Sequence, residues 1–407
     1  MFDELEAASL DQRRDATEER LKRVLRVAGS TTSYGRSTGG GTSLRDWPLL
    51  EKETIRDDPA AFLGRGHPLV SKADTSGTTG TPLSLLRSPT SIAVEQATID
   101  RLVWTKRIDL RTARVAVLRG DDIALPGAES VAWRDDASGR RRVFQSNDLS
   151  ERTVAAVADA VSDFSPDCLF AYPTVLESFC TLLERAGRQL RVPLTLTSSE
   201  VLSAASRRIA TQVLSTEVVD YYGQAERVNF AYSLVEDVYV FLPGYSATEL
   251  VRVGGDDESD VFEIVGTSLW NLAMPLIRYR TGDLVTVPKK SSQDALERIC
   301  FGLDPISGIA GRTDDYLIAP DGGRLVGIDH IPRGVKNVLR LQIVQERRDS
   351  VRILVLAKAG FGDDDRAQLT VNARRKLPES VALSIEVVES LEQRSQKTPL
   401  VIRRQGV

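Results

Sequence analysis

Thr75-Ser76-Gly77-Thr78-Thr79-Gly80-Thr81-Pro82 packs five hydroxyl side chains and two glycines into eight residues. It stands ahead of Ser88 to Arg107, whose apolar spacing predicts a long amphipathic helix. Backbone N–H groups and hydroxyls gathered in front of a helix can converge on a phosphate oxyanion. The stretch therefore reads as a loop for a nucleotide triphosphate. It departs from the usual P-loop, which ends in Gly-Lys-Ser/Thr, because Thr81 and Pro82 follow Gly80. A Ser/Thr/Gly run also serves as a plain connection, so the reading depends on the segments around it.

Downstream, strands and helices alternate. Arg114 to Leu118 reads as a short buried strand, Glu151 to Phe164 as a helix, Cys168 to Ala171 as a strand, Val175 to Ala186 as a helix and Leu194 to Thr197 as a strand. That rhythm predicts the α/β class. Ligands on open α/β sheets bind beyond the carboxyl ends of the strands. This singles out Tyr172-Pro173-Thr174, Ser198-Ser199-Glu200 and Tyr221-Tyr222-Gly223-Gln224-Ala225-Glu226. Gly223 would let the backbone approach a planar ring. Glu226 suits a carboxylate that holds Mg2+ on phosphate oxygens, and it suits a solvated helix start as well. Further on, Val261 to Val265 alternates as a strand. Asp283, after Gly282, suits two vicinal ribose hydroxyls or, more simply, a turn cap.

Upstream, residues 5 to 27 read as one charged amphipathic helix, broken by the flexible, glycine-rich Ser37 to Thr42. From Leu339 onward the rhythm changes: strands at Leu341 to Val344, Val351 to Leu356 and Val381 to Val388 surround a helix at Asp365 to Leu377. This is a small α+β unit with its own core, and it sets a domain boundary near Arg312. Asp363-Asp364-Asp365 reads as a solvated loop.

A chain of 407 residues can bury a large core and divide into domains. Its net charge of −4 argues against a dedicated nucleic-acid surface. The first residues are acidic rather than a charged-then-apolar leader, and no eighteen-residue apolar run follows, so a cytoplasmic protein without a membrane span is expected. Three scattered cysteines and two histidines supply neither a disulfide framework nor a zinc cluster.

Taken in order, these motifs resemble the adenylate-forming superfamily of acyl-CoA synthetases, adenylation domains and luciferases. Within it they resemble the phenylacetate-CoA ligase-like branch that includes capsule-biosynthesis homologues. The resemblance rests on Thr75 to Pro82, Tyr222-Gly223-Gln224-Ala225-Glu226, Tyr279-Arg280-Thr281-Gly282-Asp283, Gly311-Arg312-Thr313-Asp314-Asp315, Leu44 to Phe62 and Tyr172-Pro173-Thr174.

The resemblance implies a large multi-sheet N-terminal adenylation domain, residues 1–311, and a small mobile α+β C-terminal domain, residues 312–407, with a hinge at Asp314. It implies that Thr75, Ser76, Gly77, Thr78, Thr79 and Gly80 bind phosphates, and that Ser199, Glu200, Tyr222 and Gly223 border the adenine. Asp283 and Arg312 would bind the ribose, Glu226 would hold Mg2+, and Lys397 would be the catalytic lysine. A substrate pocket is expected from Tyr172, Thr197, Ser198, Tyr221 and Gln224, whose mixture suits an aromatic or small polar carboxylic acid.

The implied reaction consumes ATP with Mg2+ and passes an acyl group from acyl-AMP to an acceptor thiol, coenzyme A first. Amide synthesis, carrier-protein loading, AMP transfer and non-catalytic nucleotide binding are the alternatives. Two departures stand out: Ser395-Gln396 replaces the family's Ser-Gly before the lysine, and Thr81 replaces a lysine of the phosphate loop.

Overall fold

The computed structural model of the chain describes residues 2–66, 69–74, 83–119, 133–144, 149–236, 238–255, 258–312, 317–320, 324–325, 328, 331–332, 335–374, 376–392 and 399–404. Two compact units emerge. The first contains residues 1–75, 83–281 and 285–309, and the second Gly282–Leu284 and Ala310–Val407.

In the first unit the opening helix is two helices, α1 (Phe2–Glu6) and α2 (Leu10–Thr31), rather than one. Ser9 is the cause: its hydroxyl accepts from the Gln12 N–H while the Gln12 side chain accepts from the Ser9 N–H. Such a capping box starts a new helix. Short helices α3 (Ser33–Ser37) and α4 (Lys52–Asp57) follow.

Strands β1 (Ser71–Asp74) and β2 (Ser84–Arg87) then pair antiparallel, with Asp74 opposite Ser84. The Thr75 to Pro82 stretch therefore joins the two strands of a hairpin and does not lead directly into a helix. Helix α5 (Pro89–Trp104) begins only after Ser88, whose hydroxyl caps it.

The central sheet has the order β14-β10-β9-β8-β7-β6-β3-β5-β4 among the described residues. Its parallel core is β3 (Val115–Leu118), β5 (Arg141–Phe144), β6 (Cys168–Ala171), β7 (Leu194–Ser198) and β8 (Glu217–Gly223). Edge strand β4 (Trp133–Asp135) pairs antiparallel with β5. Strands β3, β6 and β7 are buried along their whole length, as parallel strands covered on both faces must be.

On one face Leu169, Ala171 and Val218 pack with the crossover helices α6 (Val154–Phe164), α7 (Pro173–Arg185) and α8 (Ala204–Leu214). On the other, Val115, Val117, Phe170, Leu196 and Val219 pack with Leu102 and Val103 of α5. Helix α7 starts two residues earlier than its apolar pattern indicates because Pro173 occupies the first helical position, where its missing N–H costs nothing.

Strands β9 (Phe230–Val235) and β10 (Val238–Phe241) extend this sheet antiparallel. A second sheet is built from β11 (Ser246–Gly255), β12 (Ser259–Ser268) and β13 (Tyr279–Pro288). Helix α9 (Gln293–Cys300) and the edge strand β14 (Ile306–Ser307), paired with β10, complete the unit.

The second unit opens with β15 (Ala310–Arg312) and the small ladder of β16 (Leu317–Ile318) and β17 (Arg324–Leu325). Its main sheet has the order β20-β19-β18-β21, from β18 (Val338–Arg347), β19 (Ser350–Ala357), β20 (Ala382–Val387) and β21 (Val401–Arg403). Leu369 and Ala373 of α10 (Asp363–Arg374) pack on Ile343, Ile353 and Val355.

The three aspartates expected in a solvated loop form the first turn of α10, where carboxylates favour the helix dipole. Asp365 also accepts from the Gly362 N–H and the Asn337 amide. The architecture is thus mixed α/β, with a large multi-sheet N-terminal part and a smaller C-terminal one. No helix among the described residues is long and apolar enough to cross a membrane.

Candidate active site

Side chains alternate along a strand, so β3, β6, β7 and β8 each send every second residue to the same face. Val115 and Val117, Cys168 and Phe170, Leu194 and Leu196, and Val219 mark that face. Continuing the alternation brings Tyr172, Ser198 and Tyr221 onto it at the carboxyl ends of β6, β7 and β8. Three of the five residues expected in the substrate pocket thus share one face.

Thr197 lies on the opposite face. It has no exposed surface, and its hydroxyl donates at 2.5 Å to Oδ1 of Asp220. Asp220 also accepts from the Tyr239 hydroxyl. Burial pushes the Asp220 carboxyl up to about 6, opposed by these two donors and by Arg207. Gln224 is likewise engaged: its amide donates to the Tyr222 hydroxyl and its carbonyl accepts from the Asn229 N–H.

Tyr221, Tyr222 and Gly223 were expected beyond a strand end and instead lie inside β8. The parallel partner β7 stops at Ser198, opposite Tyr221, but antiparallel β9 carries the ladder on to Gly223, opposite Phe230. Gly223 does not have a positive φ, and a Cβ there would meet nothing closer than 3.8 Å. Neither backbone conformation nor packing demands glycine at this position, since a Cβ would make only ordinary contacts with Asn229, Phe230 and Tyr221.

Ser199 does have a positive φ of 71° and an exposed side chain. Glu200 reaches across to the preceding crossover, where Oε2 accepts at 3.0 Å from the Thr174 N–H in the first turn of α7. Tyr172 offers that helix no side-chain cap, so the Glu200 carboxylate stabilises the otherwise unpaired N-terminal donors.

Glu226 follows β8 in a turn and is 8% exposed. Its Oε1 accepts at 2.7 Å from the hydroxyl of Tyr279, the first residue of β13. The turn is held by Arg87, which donates through Nε and Nη2 to the Ala225 carbonyl. Burial, and then the neighbouring Arg227 cation, lower the Arg87 guanidinium below its usual range. No cluster of three or more metal-ligating side chains occurs among the described residues. A lone, positioned carboxylate nonetheless fits Mg2+, which commonly takes one or two carboxylates and fills its shell with water and phosphate oxygens.

The segment Tyr279 to Asp283, in which a turn was expected only at Gly282, is the start of β13. Arg280 bridges Glu263 at 2.5 Å and Glu51 at 2.6 Å, and the Thr281 hydroxyl donates to the Ile264 carbonyl. Gly282 carries a positive φ of 74° beside a register shift, so Asp283 sits at a bulge. Asp283 is directly opposite Arg312 in the β13–β15 ladder, which makes neighbours of the two residues expected at the ribose.

Thr75, Ser76, Gly77, Thr78, Thr79, Gly80, Asp314 and Lys397 lie outside the described residues, as does the Arg312 side chain. The flanks of the Lys397 segment are described. The Gln342 amide, without exposed surface, donates to the carbonyls of Glu392 at 2.9 Å and Pro399 at 3.0 Å, and its Oε1 accepts from the Glu392 N–H. Sequence reading missed Gln342. Its signal is a lone amide inside the apolar run Leu341 to Val344.

Residues 317–404 match the family model described as the CapK C-terminal domain. Phenylacetate-coenzyme A ligase of Pseudomonas putida is 23% identical over 377 residues, covering 85% of this chain and 80% of that protein. Protein CapK of Staphylococcus aureus is 19% identical over 319 residues, covering 77% and 69%.

Among solved structures, 2-hydroxyisobutyryl-CoA ligase in the postadenylation state with R3-HIB-AMP superposes with a TM-score of 0.66 at 17% identity, covering 97% of this chain and 90% of that one. The same ligase with 2-HIB-AMP and CoA in the thioesterification state gives 0.54 at 18% identity, again covering 97% and 90%. In sequence the chain is similar to phenylacetate-coenzyme A ligase and to CapK, and in fold it is similar to the acyl-CoA ligases that proceed through an acyl-AMP.

Proposed function

We propose that this protein activates a carboxylic acid with ATP and transfers the acyl group to a thiol, coenzyme A being the first choice. In the first half-reaction a carboxylate oxygen attacks the α-phosphorus of ATP, and pyrophosphate leaves. In the second, the thiol sulfur attacks the acyl carbon, AMP leaves with the bonding electrons, and the thiol proton passes to solvent.

The observation that carries this reading is the gathering of Tyr172, Ser198 and Tyr221 on one face at adjoining strand ends, with Glu200 and Glu226 just beyond. Open parallel sheets take their ligands at that position. Thr75 to Gly80 would bind the leaving phosphates, Tyr222 and Gly223 would border the adenine, and Asp283 and Arg312 would take the ribose. Mg2+ held by Glu226 would neutralise charge on the phosphates.

Lys397 would stabilise the charge that develops in the displacement, a contribution of about 2.7 to 4 kcal/mol for a group of this kind. Rotation of the small domain, residues 312–407, about Asp314 would then withdraw the lysine and admit the acceptor. The relative that is seen in both a postadenylation and a thioesterification state supports such an alternation. Dependence on ATP and coenzyme A accords with a cytoplasmic location.

Pyrophosphate release with ATP and Mg2+ across a panel of carboxylic acids, trapped with hydroxylamine, tests the reading. Acid-dependent release and a hydroxamate product are expected, and supplying coenzyme A or amines then identifies the acceptor. An adenylylated acceptor, or ATP binding without pyrophosphate release for any acid, would replace this reading with AMP transfer or with a non-catalytic homologue.

A further inference from the structure

Arg119 follows β3 on the face that carries Val115 and Val117, and its guanidinium carbon lies 5.4 Å from the Phe170 ring and 5.7 Å from the Tyr172 ring. The side chain is half-buried, and its Nε is buried with no hydrogen-bond partner. Among the described residues no carboxylate pairs with it. Stacking on aromatic faces stabilises the cation, but it does not satisfy the buried Nε donor, which is costly to leave unpaired.

Its position gives the unpaired donor a meaning. The Tyr172 N–H bonds the Leu118 carbonyl at 3.1 Å, so Arg119 and Tyr172 leave adjacent parallel strands side by side. Arg119, Tyr172, Ser198 and Tyr221 thereby form a row across β3, β6, β7 and β8, with Arg119 at the end away from Glu226. It is the one cation of that row. A planar guanidinium over two aromatic rings keeps its in-plane donors free, a geometry that matches a carboxylate bidentately.

We propose that Arg119 binds a second anionic group on the acid that is activated, so that the substrate is a dicarboxylic acid or a comparable dianion with a spacer about the size of an aromatic ring. Strand spacing puts Arg119 about 10 Å from Ser198, two strands along the row. The reach of the arginine and a ring-sized spacer together cover that gap. The inference rests on the proposed carboxylate activation.

The test compares phenylacetate with 4-carboxyphenylacetate as matched probes, in wild type and in Arg119→Leu, Arg119→Gln and Arg119→Lys. Hydroxamate formation gives kcat/KM for each acid, and calorimetry with a non-hydrolysable ATP analogue gives binding. Wild type should prefer the diacid at least tenfold. Arg119→Leu and Arg119→Gln should each lower the diacid-to-monoacid ratio at least tenfold, with Arg119→Lys in between.

Equal losses for both acids would mean that Arg119 serves the activated carboxylate or the fold, and an unchanged ratio would mean that it faces no ligand. Either outcome overturns the proposal. If wild type activates no acid, the activation reading fails separately. Calorimetry then still decides, because diacid binding that is unaltered in Arg119→Gln would overturn the role of Arg119.

Discussion

The Tyr279 hydroxyl donates a 2.7 Å hydrogen bond to Oε1 of Glu226, joining the start of β13 to the turn after β8. Both side chains are nearly free of solvent, so the bond is to a buried charged acceptor, a kind that contributes about 1.5–3 kcal/mol. Tyr279→Phe should lower unfolding free energy by about that amount, read from urea midpoints. It should also raise several-fold the Mg2+ concentration needed for half-maximal pyrophosphate release. Glu226→Gln should abolish the Mg2+ response of turnover. A Tyr279→Phe protein with wild-type midpoint and titration would show that the bond positions nothing.

Gln342 ties together the two described ends of the segment that contains Lys397. Gln342→Leu keeps much of the volume and removes all three hydrogen bonds, at a net contribution of about 0.5–1.5 kcal/mol each. If the lysine acts in adenylation, Lys397→Ala should slow acyl-AMP formation by roughly a hundred- to a thousand-fold. It should spare thioester formation from supplied acyl-AMP. Gln342→Leu should show the same asymmetry to a smaller degree. Equal slowing of both half-reactions would reduce Gln342 to a core residue.

Asp220 is a carboxyl whose pKa is raised in the folded state, pushed up to about 6 by burial from a starting value of 3.8. Below about pH 4 it is protonated both folded and unfolded. Between pH 4 and pH 6 the folded chain holds the proton more tightly, so stability falls as pH rises. Above pH 6 the loss is complete, at roughly 3 kcal/mol. The unfolding free energy of wild type minus that of Asp220→Asn should therefore decline between pH 4 and pH 6.5 and then level off. A flat difference across that range would mean that Thr197, Tyr239 and Arg207 fully offset the burial.

Much of the large unit was legible because its parallel strands are continuous apolar runs bounded by helices, as at Val115–Leu118 and Cys168–Ala171. The family motifs supplied the candidate site residues. What escaped was set by distant partners. Ser71–Asp74 has no apolar alternation and is a strand because Ser84–Arg87 pairs with it. Val401–Arg403 is a strand because β18 accepts it in parallel. Tyr222 belongs to β8 because β9 prolongs the ladder.

Thr197 and Ser198 could not be assigned to faces from a run buried on both sides, since apolar character there gives no phase. Arg119 did carry a signal, a charge at the end of an apolar run. That signal gains meaning only once Phe170 and Tyr172 are seen beneath it.

The hairpin of β1 and β2 separates two properties of the Thr75 to Pro82 stretch. Asp74 and Ser84 are cross-strand partners, so any connection between them starts and finishes one strand spacing apart. Closing such a connection costs only about 0.6 kcal/mol more for each doubling of its length, and two residues would be enough to turn the chain. Folding therefore exerts almost no selection on how long this connection is. Its surplus length is available to be shaped by whatever the hydroxyls and amides have to reach, independently of stability.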